Sequence, residues 1–117
     1  MAHYNAWLNL RELLEVVNSE TDLKDLDPRT QRLLEWIVTN YSPERPTFVQ
    51  HIVMKSDVAS PATIHKGLSI LEREGLISMK VDSEDTRRRI VAPTERARKL
   101  MAKLSQKVKV WAESLPT

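Results

Sequence analysis

The stretch that begins at Ser60 leaves the chain few choices of fold. Ser60-Pro61 is a helix start: the serine hydroxyl takes up a free amide of the first turn, and proline sits where no amide is needed. Ile64, Leu68 and Leu71 then recur on one face, with Thr63, His65, Lys66, Ser69 and Glu72 off it. Gly75 stands just past the last apolar residue, where a left-handed conformation ends a helix. Two β-prone runs follow at once, at 77–81 and 87–92, around the polar stretch Asp82-Ser83-Glu84-Asp85-Thr86. That pattern predicts a hairpin with a five-residue loop, fed directly by a short, well-bounded helix.

The remaining elements are punctuated in the same way. Trp7, Leu10, Leu13, Leu14 and Val17 recur at helical spacing over residues 6–18, and the acidic stretch 19–27 reads as a connection. Asp27-Pro28 opens a second helix, carrying Leu33, Leu34, Trp36, Ile37 and Val38 toward Asn40. Pro43 and Pro46 mark a loop, after which Phe48, Val49, Ile52 and Val53 give a short helix ending near residues 55–57. Thr94 caps a last helix, in which Ala97, Leu100 or Met101, Leu104, Val108 and Trp111 form a near-heptad stripe, with Pro116 beyond its end.

With 117 residues the chain has material for one core and not two, so a single domain over 1–117 is expected. Its order is helix, three short helices, hairpin, long helix. This is the winged helix-turn-helix class, mainly α (α+β): a three-helix core with a two-stranded wing at about 28–93, flanked by outer helices at 4–18 and 94–114. No apolar run approaches the ~18 residues of a membrane span, so no membrane partner is expected. The first residues lack the charged start and apolar run of a secretory signal. The chain has no cysteine, hence no disulfide, thiolate metal site or thiol switch. These features fit a cytoplasmic protein.

A net charge of +2 hides an asymmetry: residues 1–58 carry 6 basic against 9 acidic side chains, and residues 59–117 carry 12 against 7. A basic C-terminal half points to a polyanion-facing surface. The order of elements suits double-stranded DNA. A short amphipathic helix can bury one face and offer the other to the major groove, while the hairpin beside it reaches the minor groove or backbone.

From Ser60 to Thr94 the chain resembles the MarR family of bacterial regulators. The resemblance rests on Ser60, Thr63, Ile64, Leu68, Leu71, Glu72, Gly75, Leu76 and Ile77, then on Asp82, Asp85 and Arg87 in the wing and Thr94 after it. The chain departs from the family pattern at Glu84, Pro93 and Ala97, where a basic residue, a leucine and a glycine are usual. The resemblance implies a sequence-specific transcription regulator, a repressor; no cofactor is expected. The resemblance places base contacts on the exposed start of the third core helix, the one opened by Ser60-Pro61: Ser60, Pro61, Ala62, Thr63, His65 and Lys66. It also favours Arg87 as the wing arginine.

Each of these residues also has a plainer role. Ser60 is an N-cap, Lys66 a solvated lysine and His65 a polar filler on an exposed face. Among Arg87, Arg88 and Arg89, one arginine can pair with Asp82 or Asp85 and stiffen the loop, while another enters a minor groove. Strand alternation sends Arg88 opposite Arg87 and Arg89, but Ile90 and Val91 are both apolar and leave the register open. Should this surface not bind DNA, the remaining basic candidate is the last helix, with Arg98, Lys99, Lys103 and Lys107.

Other chemistries lack their residues. His3, His51 and His65 are far apart in sequence, and no pair is spaced as metal ligands on a helix. There is no Gly-rich phosphate loop and no nucleophile elbow, so no enzyme is expected. Trp7, Trp36 and Trp111 come from three helices and read as core or contact residues; the resemblance to the MarR family implies, as the alternative, that they surround a small-molecule effector. The stripes of the outer helices exceed what a compact core covers. Trp7, Leu10, Leu14 and Val17, with Leu100, Leu104, Val108 and Trp111, are therefore expected to form a homodimer interface. Two alternatives remain: a winged helix used only for protein–protein contact, and a plasmid or phage replication or partition protein that binds DNA. Glu72, Glu74, Glu84 and Asp85, close to the basic residues, favour the first of these.

Overall fold

The structure, a computed structural model, describes residues 5–115. Along the chain run α1 (Ala6–Glu20), a 3₁₀ turn (Asp22–Asp25), α2 (Pro28–Asn40), β1 (Thr47–Phe48), α3 (Val49–Lys55), α4 (Pro61–Arg73), β2 (Ile77–Val81), β3 (Arg89–Pro93) and α5 (Glu95–Ser114). Two compact units separate: Asp27–Arg98, and the described parts of Met1–Leu26 with Lys99–Thr117. No helix among the described residues is long and apolar enough to cross a membrane.

Asp27–Arg98 is the winged helix unit, and its helix starts follow from residue type. The Asp27 carboxylate accepts from the Arg29 and Thr30 amides, each at 3.0 Å, and from the Thr30 hydroxyl at 2.8 Å. These bonds, the hydroxyl's first, hold the carboxyl below the usual aspartate range. Ser60 accepts the Thr63 amide at 3.4 Å, and Pro61 takes the first helical position. The core is Leu33, Leu34, Ile37, Ile52, Ile64, Leu68 and Leu71 from the helices, with Leu76, Ile77 and Val91 from the sheet, all at most 2% exposed. Cutting one of these leucines or isoleucines to alanine costs about 2–5 kcal/mol. Gly67 faces α2: a methyl group there would stand 2.8 Å from Leu33 Cδ2, so its bare backbone lets the two helices approach.

The wing differs from expectation in two ways. Its sheet has three strands in the order β1-β3-β2, with Thr47 opposite Val91 and Phe48 opposite Ile90. Phe48, read from the sequence as part of a helix, is extended at φ −103° and ψ 153°, and α3 begins at Val49. A two-residue strand shows no alternation, so hydrophobic periodicity hides it. The second difference is that β3 starts at Arg89 and not Arg87, so the loop covers 82–88. Asp85 is the reason. Its carboxylate accepts the Arg87 amide and its carbonyl the Arg88 amide, both at 3.0 Å, and this turn withdraws the two arginines from the strand. The open register resolves with Val81 opposite Arg89, Met79 opposite Val91 and Ile77 opposite Pro93, Val91 being fully buried.

Gly75 joins helix to hairpin at φ +75°. Its amide bonds to the Glu72 carbonyl at 3.0 Å, and that of Leu76 to the Leu71 carbonyl at 2.9 Å, the paired bonds of a left-handed helix end. The Thr94 hydroxyl donates to the Gly75 carbonyl at 2.6 Å and accepts the Ala97 amide at 3.2 Å. One side chain therefore fastens the junction and caps α5.

In the other unit, α1 runs to Glu20, and the stretch read as a connection holds the 3₁₀ turn. Thr21 makes it: its hydroxyl donates to the Val17 carbonyl at 2.7 Å and accepts the Leu23 amide at 3.3 Å. Val17, Leu23, Leu26 and Leu100 are buried in the single chain. Of the other stripe residues, Leu10, Leu104 and Trp111 are half-buried, and Trp7, Leu14 and Val108 are exposed. Leu8, Val16 and Val110, outside the expected stripes, are exposed as well.

Gly75→Ala is expected to lower the unfolding free energy by about 1–2 kcal/mol, the usual cost of a Cβ in the left-handed region. Space is not the obstacle, since the nearest atom to an added Cβ is an Arg96 guanidinium nitrogen at 3.6 Å. Gly75→Asn should lose less, because asparagine tolerates this conformation. Denaturant melts of the three chains check this, and an alanine variant as stable as the parent would contradict it.

Candidate nucleic-acid interface

Phe48 of β1, one side of α3, His65 of α4 and the wing line one groove of about 270 Å³. Its walls are Phe48, Val49, Gln50, Val53, His65, Arg87, Arg88 and Arg89. With Ile64, Gly67, Leu68 and Leu71 buried, α4 leaves Pro61, Ala62, His65 and Lys66 exposed and Thr63 half-buried. Ser60 does more than cap: its hydroxyl also donates to Thr63 Oγ1 at 3.0 Å, which leaves the Thr63 hydroxyl hydrogen free to point elsewhere. The residues expected to contact DNA therefore occupy one helix start and the adjoining wing.

The three wing arginines are not equivalent. Arg88 is the brace. Its Nη2 and Nε donate to Asp82 Oδ2 at 2.6 and 3.2 Å, its Nε lies 3.8 Å from Asp85 Oδ2, and its guanidinium carbon sits 4.2 Å from the centre of the Phe48 ring. A guanidinium over an aromatic face is favourable in its own right. Asp82 is only 6% exposed and also accepts the Glu84 amide at 3.1 Å. That amide first, then Arg88, holds its carboxyl below the usual range. Arg87 meets Asp85 fork to fork, Nε to Oδ1 at 3.0 Å and Nη2 to Oδ2 at 3.2 Å. This contact raises the guanidinium pKa and lowers that of the carboxyl. Yet the Arg87 side chain stays 88% exposed, and surface pairs of this kind are weak and exchangeable. Arg89 is exposed at the start of β3 and has no side-chain partner among the described residues.

The loop-stiffening pairing expected of one arginine is thus made by two, and Arg87, favoured by the resemblance, is one of them. Phe48 was missed as a site residue, and so were Gln50, Val49 and Val53. The available signal was the β-prone pair Thr47-Phe48 after Pro46. His51 is exposed and stands edge-on to Phe48 with ring centres 5.4 Å apart, outside the groove lining. His3 and Pro116 lie outside the described residues, among which no group of His, Cys, Asp and Glu is placed to hold a metal ion. None of the three tryptophans is buried. Trp7 is exposed, Trp36 half-buried, and Trp111 shares a groove of about 340 Å³ with Asn9, Glu12, Leu13 and Val16.

No family model and no curated protein matches the sequence. Solved structures do match. The chain is similar to a mutant of S. aureus MepR bound to an oligodeoxyribonucleotide, with 20% identity and a TM-score of 0.75 over 96% of this chain and 79% of that one. It is similar to the S. aureus MepR–DNA complex at 18% identity and TM-score 0.73, over 91% and 81% of the two chains. S. aureus MepR bound to ethidium bromide matches at 19% and 0.71, over 98% and 80%. MepR is a MarR-family winged helix regulator, and this chain has its fold.

Asp82 and Asp85 yield a pH dependence whose sign is fixed. A carboxyl with a lowered folded-state pKa binds fewer protons folded than unfolded. Its contribution is complete above the ordinary aspartate value of about 3.9 and is lost as pH falls through the folded value. Acidification below about pH 4 is therefore expected to loosen the wing, with lower protection at the Glu84 and Arg88 amides when exchange is referred to the intrinsic rate at each pH. In Asp82→Asn the Glu84 amide should exchange faster at neutral pH and respond less to acid. Protection of that amide unchanged by the substitution would contradict the arrangement.

Proposed function

We propose that this chain is a sequence-specific double-stranded DNA-binding transcription regulator of the MarR type, acting as a repressor. In this reading α4 enters the major groove with Thr63 and Lys66 toward base edges, His65 lies on the side of α4 that meets the wing, and Ser60, Pro61 and Ala62 lie at the helix start beside the backbone. The wing, with Arg87, Arg88 and Arg89, lies on the backbone or in the flanking minor groove. One observation supports it above the rest: His65 of α4 and the three wing arginines line one groove that carries no acidic side chain among the described residues. The fold shared with MepR, solved in complex with DNA, supports it further.

Two chains are needed for a palindromic site, and the exposed Trp7, Leu8, Leu14, Val16, Val108 and Val110 are the surface available to pair them. In the homodimer the two α4 helices lie one DNA turn apart, roughly 34 Å. The ethidium-bound MepR structure supports a small-molecule effector. The protein-contact alternative draws on Asp85, which spends its charge on Arg87 at the wing tip.

Binding to genomic fragments across salt concentration separates the two readings. A dimer that neutralises about six to ten phosphates should lose roughly three to five decades of affinity between about 50 and 200 mM salt. Light scattering of the free protein should read two chains per particle. Thr63→Ala and Lys66→Ala should each cost about 1–3 kcal/mol at one base pair and little at others, which changes sequence preference. Salt-indifferent binding would favour the protein-contact module, whereas folded variants that bind DNA with the parent's affinity and preference would move the contact surface to Arg98, Lys99, Lys103 and Lys107 of α5.

A further inference from the structure

Building on the DNA-binding reading, we propose that His65 and Arg89 form a seat for a single backbone phosphodiester in the groove between α4 and the wing, and that occupying it takes up a proton. The charged side chains in the groove lining are all basic among the described residues. The carboxylates closest to the wing arginines are already engaged: Asp85 holds Arg87, and Asp82 holds Arg88, which also packs on Phe48. His65 and Arg89 have no side-chain partner among the described residues, and both are exposed. One stands on the reading helix and the other on the first residue of β3. An anion between them therefore ties helix to wing.

The chemistry selects a phosphodiester. It carries one negative charge and two free oxygens, which suit a guanidinium fork on one side and an imidazolium N–H on the other. Phe48, Val49 and Val53 make the rest of the lining largely apolar, which strengthens a charge-assisted bond. The volume of about 270 Å³ leaves room for the group and for bridging water. This differs from the contact implied by resemblance, which falls on Arg87.

Imidazoles as a class change charge between about pH 5 and 8. An anion in contact favours the protonated ring, so by linkage acid favours binding. His65 faces Arg87, Arg88 and Arg89 from the wing, Phe48 from β1, and the neutral Val49, Gln50 and Val53 from α3, with Lys66 beside it on its own helix. Asp82 and Asp85, held below the usual aspartate range, stay ionised throughout that window and add nothing to the pH response.

The test measures binding of the full chain to a labelled random-sequence duplex by fluorescence anisotropy, over salt and at two pH values, with thermal melts to confirm folding. The parent should bind several-fold more tightly at about pH 5.5 than at about pH 7.5. His65→Gln should lose that increment, whereas His51→Gln, outside the groove, should keep it. Arg89→Gln should reduce the salt slope by about 0.9, and Arg89→Lys should restore it. Binding with an unaltered slope in Arg89→Gln, or an undiminished pH increment in His65→Gln, would overturn the seat and leave the DNA reading standing. A parent that binds no duplex even at low salt would overturn both.

Discussion

The backbone passes from α4 into the sheet at Gly75, in a conformation that a residue with a Cβ avoids. Three contacts hold that turn: the paired helix-end bonds to Leu71 and Glu72, the Thr94 hydroxyl on the Gly75 carbonyl, and Arg96 on the Glu74 carbonyl. Leu76 and Ile77 are buried at once on the far side, so the hairpin leaves α4 in a fixed direction. Lining one groove with His65 and three wing arginines depends on that direction. A looser junction would keep the same helices and strands and lose the surface.

Electrostatics then decide what the surface offers. A wing with three consecutive arginines repels itself, and Asp82 and Asp85 relieve the repulsion from within the loop. Asp82 is nearly buried, and its contacts with Arg88 and the Glu84 amide fix the loop ahead of any partner. Rigidity gained before binding lowers the ordering cost at binding. It also consumes charge. Arg88 is committed, Arg87 is shared with Asp85, and Arg89 remains the wing's unengaged arginine among the described residues.

Much of this was legible in the sequence, because the signals were local and strong. Asp27-Pro28, Ser60-Pro61, Gly75 and Thr94 each mark a boundary that the structure keeps, and Ile64, Leu68 and Leu71 mark a face that it buries. The misses were not local. Thr47-Phe48 becomes a strand only because β3 lies beside it, and a two-residue element has no period to detect. The start of β3 moved from Arg87 to Arg89 because the Asp85 turn competes with the strand ladder, a contest that β-propensity does not describe. The division of labour among the arginines depends on which carboxylate each one reaches. Likewise the apolar stripes of the outer helices did not show that Val17 and Leu100 are buried in the single chain while Val16 and Val110 are exposed.

Amide chemical-shift mapping during titration with a duplex tests most directly whether the face formed by α4 and the wing meets DNA. The predicted result is a set of perturbations centred on residues 60–66 and 85–89, growing together as DNA is added and fading together as salt is raised. Perturbations centred instead on Arg98, Lys99, Lys103 and Lys107 of α5, with α4 and the wing unmoved, would contradict it.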